Sequence, residues 1–396
     1  MVIYQDPIAS LTLFCVDYVH GYDVRSSSAG AAVAVDVEAY VFSMGSFDEQ
    51  KMEFSMDMFF RQRWTERRLC YQARPGKGPN QRLVINPVLV SNVWRPDIFF
   101  KNSKIARFHD VPNSNVMYAI SPNGDVLLSV RITTTLGCQM DFRRFPFDVQ
   151  HCDFQIGSYG NTEDDVIIRW RGEKGVIIAD SVEVLQYTIS NITTSNAKVV
   201  YNTGTFSEPK TVFVFSRRLM YYMFGYYVPA VLICVLSWIS LWIDPRSVPA
   251  RVSLGIITIL AMGSFLHGSS GPKVSYATAL DIYIITCYVF VFASLLEYAM
   301  VHYGLTCCEK LGIVEKNTVF TNTEVDQNGN VRDENSTSIS MATIGSNTGP
   351  SLNKRFQQCK LSYFKFNAFS LEKYARIGLP VAFVLFNFGY WLYYYA

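Results

Sequence analysis

The chain has 396 residues, of which 49% are hydrophobic and 15% aromatic, and its formal net charge at pH 7 is +2. This length accommodates both a domain outside a membrane and a membrane-spanning bundle. The near-neutral charge argues against a nucleic-acid partner. No nucleophile–base pair or cluster of metal ligands stands out in the sequence, so we expect no enzyme activity, no bound metal and no cofactor.

Residues 1–217 are predicted to form an extracellular antiparallel β-sandwich. Short runs that alternate hydrophobic and polar residues, such as 33–37 and 126–134, are separated by turn residues. This pattern favours an immunoglobulin-like sandwich of about ten strands, preceded by a helix near residues 7–20. The sequon at Asn191 predicts glycosylation on this half of the chain.

A short loop in the same half is enclosed by Cys138 and Cys152, and its tip reads Phe145-Pro146-Phe147-Asp148. Proline fixes its own φ angle and disfavours helix in the preceding residue, so the tip is predicted to be a rigid turn. A disulfide between the two cysteines would stabilise by roughly 3 kcal/mol and hold the tip as one body. Cys15 and Cys70 are candidates for a second disulfide.

Four apolar segments in the second half are predicted to cross the plasma membrane. They cover residues 219–243, 250–268, 276–301 and 374–396. The second is weakly hydrophobic and rich in small residues, which indicates that it faces protein or water; a buried helix in a bundle is the plainer alternative. Residues 304–373 are predicted to form a largely disordered cytoplasmic loop with a helix before the last span. Both termini would then be extracellular.

Several short motifs follow one another along the whole chain. They are Trp64, Trp94-Arg95-Pro96-Asp97, the Cys138–Cys152 loop, Pro249-Ala250-Arg251-Val252, Gly255, Leu260, Lys273-Val274-Ser275-Tyr276 and Leu295-Leu296-Glu297-Tyr298. In order and spacing they resemble the Cys-loop pentameric ligand-gated ion channels, most closely the anion-selective branch of the glycine and GABA receptors. The resemblance implies a disulfide between Cys138 and Cys152 and a pentamer with four further subunits, alike or different, in membrane lipid. It also implies a small-molecule agonist bound between neighbouring outer domains.

The second span carries a candidate pore lining. Helical spacing places six residues on one stripe: Pro249, Ser253, Ile257, Leu260, Ser264 and His267. Five copies would line a pore in which Ile257 and Leu260 form adjacent apolar rings that can gate by dewetting. At the inner mouth, Pro249, Ala250 and Arg251 bring no negative charge where cation-conducting relatives carry glutamate, which favours chloride. Core packing is the alternative for the stripe, and His267 either senses pH or binds metal, or has no role.

The resemblance further implies a ligand pocket between subunits. Its principal face would contain Phe99, Ser158, Tyr159, Tyr201, Thr203 and Phe206, and its complementary face Phe59, Arg61, Leu127, Ser129 and Arg131. Aromatic rings attract an ammonium and a guanidinium grips a carboxylate, so these faces suit a small zwitterion such as an amino acid. Gly157 stands where glycine and GABA receptors keep a glutamate near the ligand amine, which leaves the ligand open. A surface salt bridge is the alternative for Arg61.

Coupling of the pocket to the pore is expected at the tip of the Cys138–Cys152 loop. The residues expected there are Asp48, Glu49, Phe145, Pro146, Phe147, Asp148, Arg217, Arg218 and Lys273. Opposite charges at such a junction can bias a two-state equilibrium by about 1–3 kcal/mol, and a static salt bridge is the alternative. The first hypothesis is therefore an extracellular ligand-gated anion channel subunit. The alternatives are a non-conducting or accessory subunit of the same family, or a channel gated by an amine or a proton.

Overall fold

The computed structural model describes residues 31–71, 82–85, 94–172, 174–268, 271–310 and 368–395. They belong to two compact units. The first contains the described residues up to Tyr221 together with those between Ser270 and Leu280, and the second contains those from Tyr222 to Ser269 and from Asp281 onwards. The predicted N-terminal helix, Cys15 and most of the predicted cytoplasmic loop lie outside the described residues.

The first unit is a two-sheet β-sandwich. Within the described ranges its strands are β1 (Val33–Asp48), β2 (Glu53–Thr65), β3 (Leu83–Ile85), β4 (Ile98–Phe100), β5 (Ser103–Phe108), β6 (Val116–Ile120), β7 (Asp125–Gly137), β8 (Val149–Ser158), β9 (Val166–Trp170), β10 (Val176–Ile178), β11 (Tyr187–Tyr201) and β12 (Gly204–Arg217). One sheet has the order β10-β1-β2-β7-β6-β3, with β5 beside β7 and β9 beside β1; the other has the order β11-β12-β8-β4. The predicted sandwich is confirmed, although β1 pairs with β9 and β10 in parallel.

Aromatic rings fill the space between the two sheets because alternate side chains of each strand point inward. Phe54 on β2 and Phe213 and Phe215 on β12 are fully buried. The ring centroid of Phe54 lies 6.2 Å from that of Phe213 and 5.7 Å from that of Phe215. Burying each ring contributes about 1.5–3 kcal/mol. The same alternation turns the intervening residues of β1, β2 and β7 outward.

Four helices among the described residues are long and apolar enough to cross a membrane, which confirms the predicted helical bundle. They are α1 (Met220–Trp242), α2 (Val248–Gly268), α3 (Ala279–Lys310) and α4 (Ala368–Tyr395). In α1 a π-helical turn at Met223–Tyr227 precedes Pro229, which lacks the N–H needed to continue the hydrogen-bond ladder. Compared with the predicted spans, α3 begins later than residue 276 and α4 begins earlier than residue 374.

Tyrosines from three helices form the core of the second unit. The ring of Tyr227 on α1 lies 4.7 Å from that of Tyr283 on α3, and Tyr283 lies 4.9 Å from Tyr390 on α4. The hydroxyls of Tyr227 and Tyr390 are hydrogen-bonded at 2.8 Å. On α2, a Cβ at Gly255 would lie 2.7 Å from Leu295 on α3, so glycine permits close packing of these two helices.

Candidate functional site

Two pairs of aromatic rings lie near the ends of β4, β8 and the β11–β12 hairpin, and all of these rings except the half-buried Phe206 are exposed. The rings of Phe99 and Tyr159 meet edge to face at 5.7 Å, and those of Tyr201 and Phe206 at 5.8 Å. Tyr159 is 82% exposed, whereas Phe99 and Tyr201 are exposed to about half that extent. Exposed aromatic clusters of this kind are typical of binding surfaces. These four residues are the rings predicted for the principal face.

Asp97, just before β4, holds the loop that follows β8. Its carboxylate accepts hydrogen bonds from Ser158 Oγ, the Gly160 amide and Asn161 Nδ2, each at 2.7 Å. Burial alone would raise the pKa of Asp97, but these hydrogen bonds outweigh burial and lower it below its usual value. Ser158 is buried and also accepts a hydrogen bond from the Asn161 amide. Its hydroxyl is therefore committed to the loop that carries Tyr159.

An ion pair that the sequence analysis did not identify lies beside these rings. Glu208 on β12 accepts a hydrogen bond from Tyr201 Oη at 2.6 Å and from Lys101 Nζ at 2.8 and 3.0 Å. Lys101 Nζ also donates to the Tyr201 hydroxyl and lies 5.1 Å from the centroid of that ring. Burial lowers the pKa of Lys101, but its hydrogen bonds to Glu208 and Tyr201 prevail and raise it. Alternation gave only a partial signal: Lys101 follows Phe99 by two residues and Glu208 follows Phe206 by two, but nothing in the sequence states that the two side chains meet.

The predicted complementary face lies on the outward side of β1, β2 and β7. Cross-strand register places Tyr40 opposite Phe59, and Phe59 opposite Arg131. The Phe59 ring centroid lies 4.9 Å from that of Phe42 and 6.4 Å from that of Tyr40. Sequence reasoning identified Phe59 from its own strand but missed Tyr40 and Phe42, since nothing in the sequence states that β1 is the neighbouring strand.

The two predicted arginines of this face are paired differently. Arg61 Nη1 donates to Glu38 Oε1 at 2.5 Å, and Arg63 approaches the other oxygen of that carboxylate at 3.3 Å. Arg131 instead stacks on Phe42 with its Cζ atom 5.2 Å from the ring centroid. Its Nε is buried and has no hydrogen-bond partner among the described residues. Among the described residues Arg131 forms no ion pair with a carboxylate, whereas Arg61 and Arg63 share Glu38.

Three other residues predicted for the pocket lie in different surroundings. Leu127 is buried, and Ser129 is half-buried opposite Arg61 in the β2–β7 register. Thr203 is exposed in the two-residue turn of the β11–β12 hairpin. The turn ends at Gly204, whose φ of +136° and whose close approach to Thr162 would both oppose a side chain.

The disulfide implied by the resemblance is confirmed, because Cys138 and Cys152 are bonded. Within the loop that it closes, Phe145 and Pro146 are buried and Phe147 is half-buried. The predicted partner of Cys70 lies outside the described residues. Asn191, the predicted glycosylation site, is exposed on β11.

Arg217, at the end of β12, connects the loop tip to two other elements. Its guanidinium donates to Asp148 at 2.6 and 2.9 Å, to Glu49 at 2.5 Å and to the Tyr187 hydroxyl at 2.5 Å. It also lies 4.6 Å from the centroid of the Phe145 ring. Burial would lower the pKa of Arg217, but the hydrogen bonds to Asp148 outweigh burial and raise it. Four of the predicted coupling residues therefore meet, together with a tyrosine that the sequence analysis missed.

The same loop contacts the segment that leads into α3, within the first unit. The Phe142 amide donates to Tyr276 Oη at 3.0 Å. The amides of Ala279 and Leu280 donate to the carbonyls of Arg143 and Phe145, both at 3.1 Å. The first N–H groups of a helix have no partner inside the helix, so the loop carbonyls satisfy the N-terminus of α3.

The remaining predicted coupling residues are not part of these contacts. Asp48 forms an ion pair at 2.9 Å with Lys51, three residues along the chain, and its carboxylate also accepts a hydrogen bond from the Lys51 amide. Hydrogen bonding to Lys51 lowers the pKa of Asp48. The side chains of Arg218 and Lys273 are exposed. It is Tyr276, rather than Lys273, that the structure places against the loop.

The predicted pore stripe is an exposed face of α2. Pro249, Ser253 and Ser264 are exposed, and Ile257 and Leu260 are 62% and 65% exposed. Met262 and Thr258, on the other side of the helix, are buried. Ser253 and Ser264 make this face partly polar, and polar side chains within a membrane span face protein or a water-filled cavity rather than lipid. The side chain of His267 lies outside the described part of the structure.

Arg251 lies on the buried side of α2, away from the stripe. It is 1% exposed, and its guanidinium donates to Glu372 on α4 at 2.5 Å and to the Ile243 carbonyl at 2.9 Å. Its Cζ atom lies 5.6 Å from the ring centroid of Tyr298 on α3. Arg251 thus holds α2, α3 and α4 together in the second unit. Of the residues predicted for selectivity, Pro249 and Ala250 are the ones that are exposed.

Comparison with known proteins gives matches over most of the chain. A family model described as "Neurotransmitter-gated ion-channel ligand binding domain" matches residues 14–219, and one described as "Neurotransmitter-gated ion-channel transmembrane region" matches residues 226–310. The gamma-aminobutyric acid receptor subunits rho-1 of Rattus norvegicus and Mus musculus are each 34% identical over 397 residues. The subunit rho-1 of Homo sapiens is 33% identical over 398 residues. In each case the match covers 94% of this chain and 82% of the relative.

Proposed function

The chain belongs to the neurotransmitter-gated ion-channel family, within its anion-selective branch, and from this premise we propose that it forms pentamers that conduct chloride when a small carboxylate binds between neighbouring outer domains. It is a subunit of a ligand-gated channel and not an enzyme. It is a multi-pass protein of the plasma membrane with an extracellular N-terminal domain.

The surface of α2 supports an anion pathway. Its exposed stripe carries hydroxyl and apolar side chains, and the first turn of the helix contains no acidic residue. A helix N-terminus carries partial positive charge, which favours anions nearby. Since Arg251 is buried, we assign the preference for anions to the missing acidic ring and the five helix N-termini rather than to a ring of arginines.

The proposed ligand class, a small carboxylate, is inferred from the surroundings of Arg131. A half-buried guanidinium that no carboxylate of the described residues neutralises, opposite an exposed Phe59 ring, is suited to bind a carboxylate with charge-assisted hydrogen bonds. Arg61 is less suited, because Glu38 already neutralises it. In a pentamer this face would meet the Phe99, Tyr159, Tyr201 and Phe206 rings of the neighbouring subunit.

The route from ligand to pore runs through the disulfide loop. Arg217 fixes the loop tip through Asp148, and the carbonyls of Arg143 and Phe145 bind the first amides of α3. Movement of the loop would therefore reposition the start of a membrane helix. A few broken hydrogen bonds suffice for a coupling energy of about 1–3 kcal/mol.

A second candidate is a subunit that does not conduct when alone. The observation that favours it is the pair of exposed apolar side chains, Ile257 and Leu260, which would give two adjacent apolar rings. Two such rings raise the hydration barrier more than one. Current from this chain expressed alone distinguishes the two candidates.

The test compares Arg131→Gln with the matched variant Arg61→Gln in cells that express the chain alone. Currents evoked by a panel of small carboxylates are recorded together with surface expression. Loss of a charge-assisted contact worth about 1.5–3 kcal/mol predicts a rise of about tenfold or more in the half-maximal concentration for Arg131→Gln. Arg61→Gln is expected to shift it less. Equal responses of the two variants would contradict the assignment of the carboxylate site.

A further inference from the structure

The principal face already contains a cation. An ammonium is stabilised by the face of an aromatic ring and by a carboxylate, and Lys101 Nζ has both. It lies 5.1 Å from the Tyr201 ring centroid and 2.8 Å from Glu208. Glu208 in turn accepts a hydrogen bond from the Tyr201 hydroxyl at 2.6 Å. The carboxylate, the ring and the ammonium therefore all contact one another.

This ion pair lies among the principal-face residues. A Cβ built on Gly157 would lie 3.5 Å from the Phe99 ring and 3.8 Å from the Glu208 side chain. Glu208 and Phe99 therefore border the same small space, in which glycine supplies no side chain. Asp97, the other carboxylate that supports these loops, accepts three hydrogen bonds from the loop after β8.

We propose that Lys101 is a built-in occupant of the ammonium subsite, so that the ligand of this site has no ammonium group and binds through an anionic or neutral head. The inference rests on the proposed function, because it concerns the ligand face of that channel. It specifies the ligand class more narrowly than the carboxylate contact at Arg131 does.

Tethering gives Lys101 its advantage over a free amine. A group on a short flexible linker has an effective concentration on the order of millimolar at its site. A soluble amine would have to displace Lys101 from Glu208, or place a second cation against one carboxylate. Either route costs binding energy, whereas a ligand without a positive charge leaves the pair intact.

The experiment replaces Lys101 with methionine, which keeps an unbranched side chain and removes the charge. Lys104→Met is the matched control, because Lys104 forms a similar ion pair, with Glu53 at 2.9 Å. The side chains of Lys104 and Glu53 are 44% and 17% exposed, and those of Lys101 and Glu208 are 37% and 13% exposed. Binding of butylamine and of butyrate, which share a carbon chain, is measured by calorimetry on the purified full-length pentamer. Lys101→Gln serves if the methionine variant does not assemble.

Lys101→Met is expected to bind butylamine about tenfold more tightly than the wild type or Lys104→Met, since the vacated ring and carboxylate accept the new ammonium. Lys101→Arg should behave as the wild type, and adding Glu208→Gln to Lys101→Met should abolish the gain. Butyrate affinity should change by less than about threefold. An equal butylamine affinity in Lys101→Met and Lys104→Met would overturn the inference, as would a wild type that binds butylamine more tightly than butyrate.

A further measurement separates this inference from the proposed function. Leu260→Ser is combined with each Lys101 variant, and the current without ligand is recorded. Chloride current together with unchanged amine binding would reject the built-in cation while supporting the channel. Surface pentamers without chloride current would reject the channel, whatever the amine affinities are.

Discussion

At the scale of single residues, Arg217 is the charged centre of the contacts around the tip of the disulfide loop. Its side chain is fully buried, and the carboxylates that surround it, Asp148 and Glu49, are 2% and 15% exposed. Removing the cation from such a group leaves buried negative charges without compensation, which is costlier than the loss of the contacts alone. The arrangement explains why an arginine stands where β12 ends.

Arg217→Gln is therefore expected to destabilise the outer domain by about 3–5 kcal/mol. Thermal unfolding of the purified receptor measures the effect, and the exposed Arg218→Gln is the control. Adding Asp148→Asn should restore part of the loss, because it removes one of the unpaired charges. Identical melting temperatures for Arg217→Gln and Arg218→Gln would contradict this role.

Asp97 gives a prediction for the dependence of stability on pH. Its pKa is lowered in the folded chain, so its contribution is complete above the usual aspartate value, about 4, and is lost as the pH falls through the lowered pKa. The gap in melting temperature between wild type and Asp97→Asn should be constant between about pH 5 and 7 and shrink below about pH 4. Asp141→Asn, at an exposed carboxylate, is the control. A gap that widens in acid would refute the assignment.

The arginines show what sequence can and cannot predict at this scale. The alternation of side chains along β2 correctly predicted that Phe59 and Arg61 lie on the same face of the sheet. It could not reveal that Glu38, on another strand, pairs with Arg61 and leaves Arg131 with an unpartnered donor. Lys101 and Glu208 were missed for the same reason, because their meeting depends on how β4 and β12 are arranged around β8.

At the scale of elements, the start of α3 depends on the disulfide loop. The loop carbonyls of Arg143 and Phe145 accept the first amides of the helix, and Tyr276 anchors the preceding segment. From the sequence we predicted that the loop tip contacts this segment, but we expected the contact at Lys273. The choice of Tyr276 depends on the position of the Phe142 amide, which no periodicity in the sequence encodes.

Tyr276→Phe tests this junction. It removes the hydroxyl that accepts the Phe142 amide and keeps the ring, so we expect a loss of about 1 kcal/mol of coupling. Recordings should show a roughly fivefold higher half-maximal concentration with unchanged ligand affinity. Lys273→Gln is the comparison, for which little change is expected. A larger shift for Lys273→Gln than for Tyr276→Phe would reverse the assignment.

At the scale of the whole molecule, the sequence predicted the architecture well. Period-two alternation specifies strands, and four long apolar segments specify spans, so the sandwich and the helices followed from local patterns. The exact limits of the spans and the burial of Arg251 could not be predicted from local patterns, because they depend on contacts such as the one between Arg251 and Glu372.

We propose that the exposed face of α2 lines an anion-conducting pore. The most direct test is the reversal potential of current through Leu260→Ser channels, in which a polar side chain replaces one apolar ring and eases opening without ligand. Leu254→Ser, at a position off the exposed stripe, is the control and should add no such current. We expect the reversal potential to move by about 59 mV for each tenfold change in external chloride. A reversal potential that does not change with external chloride and follows the sodium gradient would contradict an anion-conducting pore.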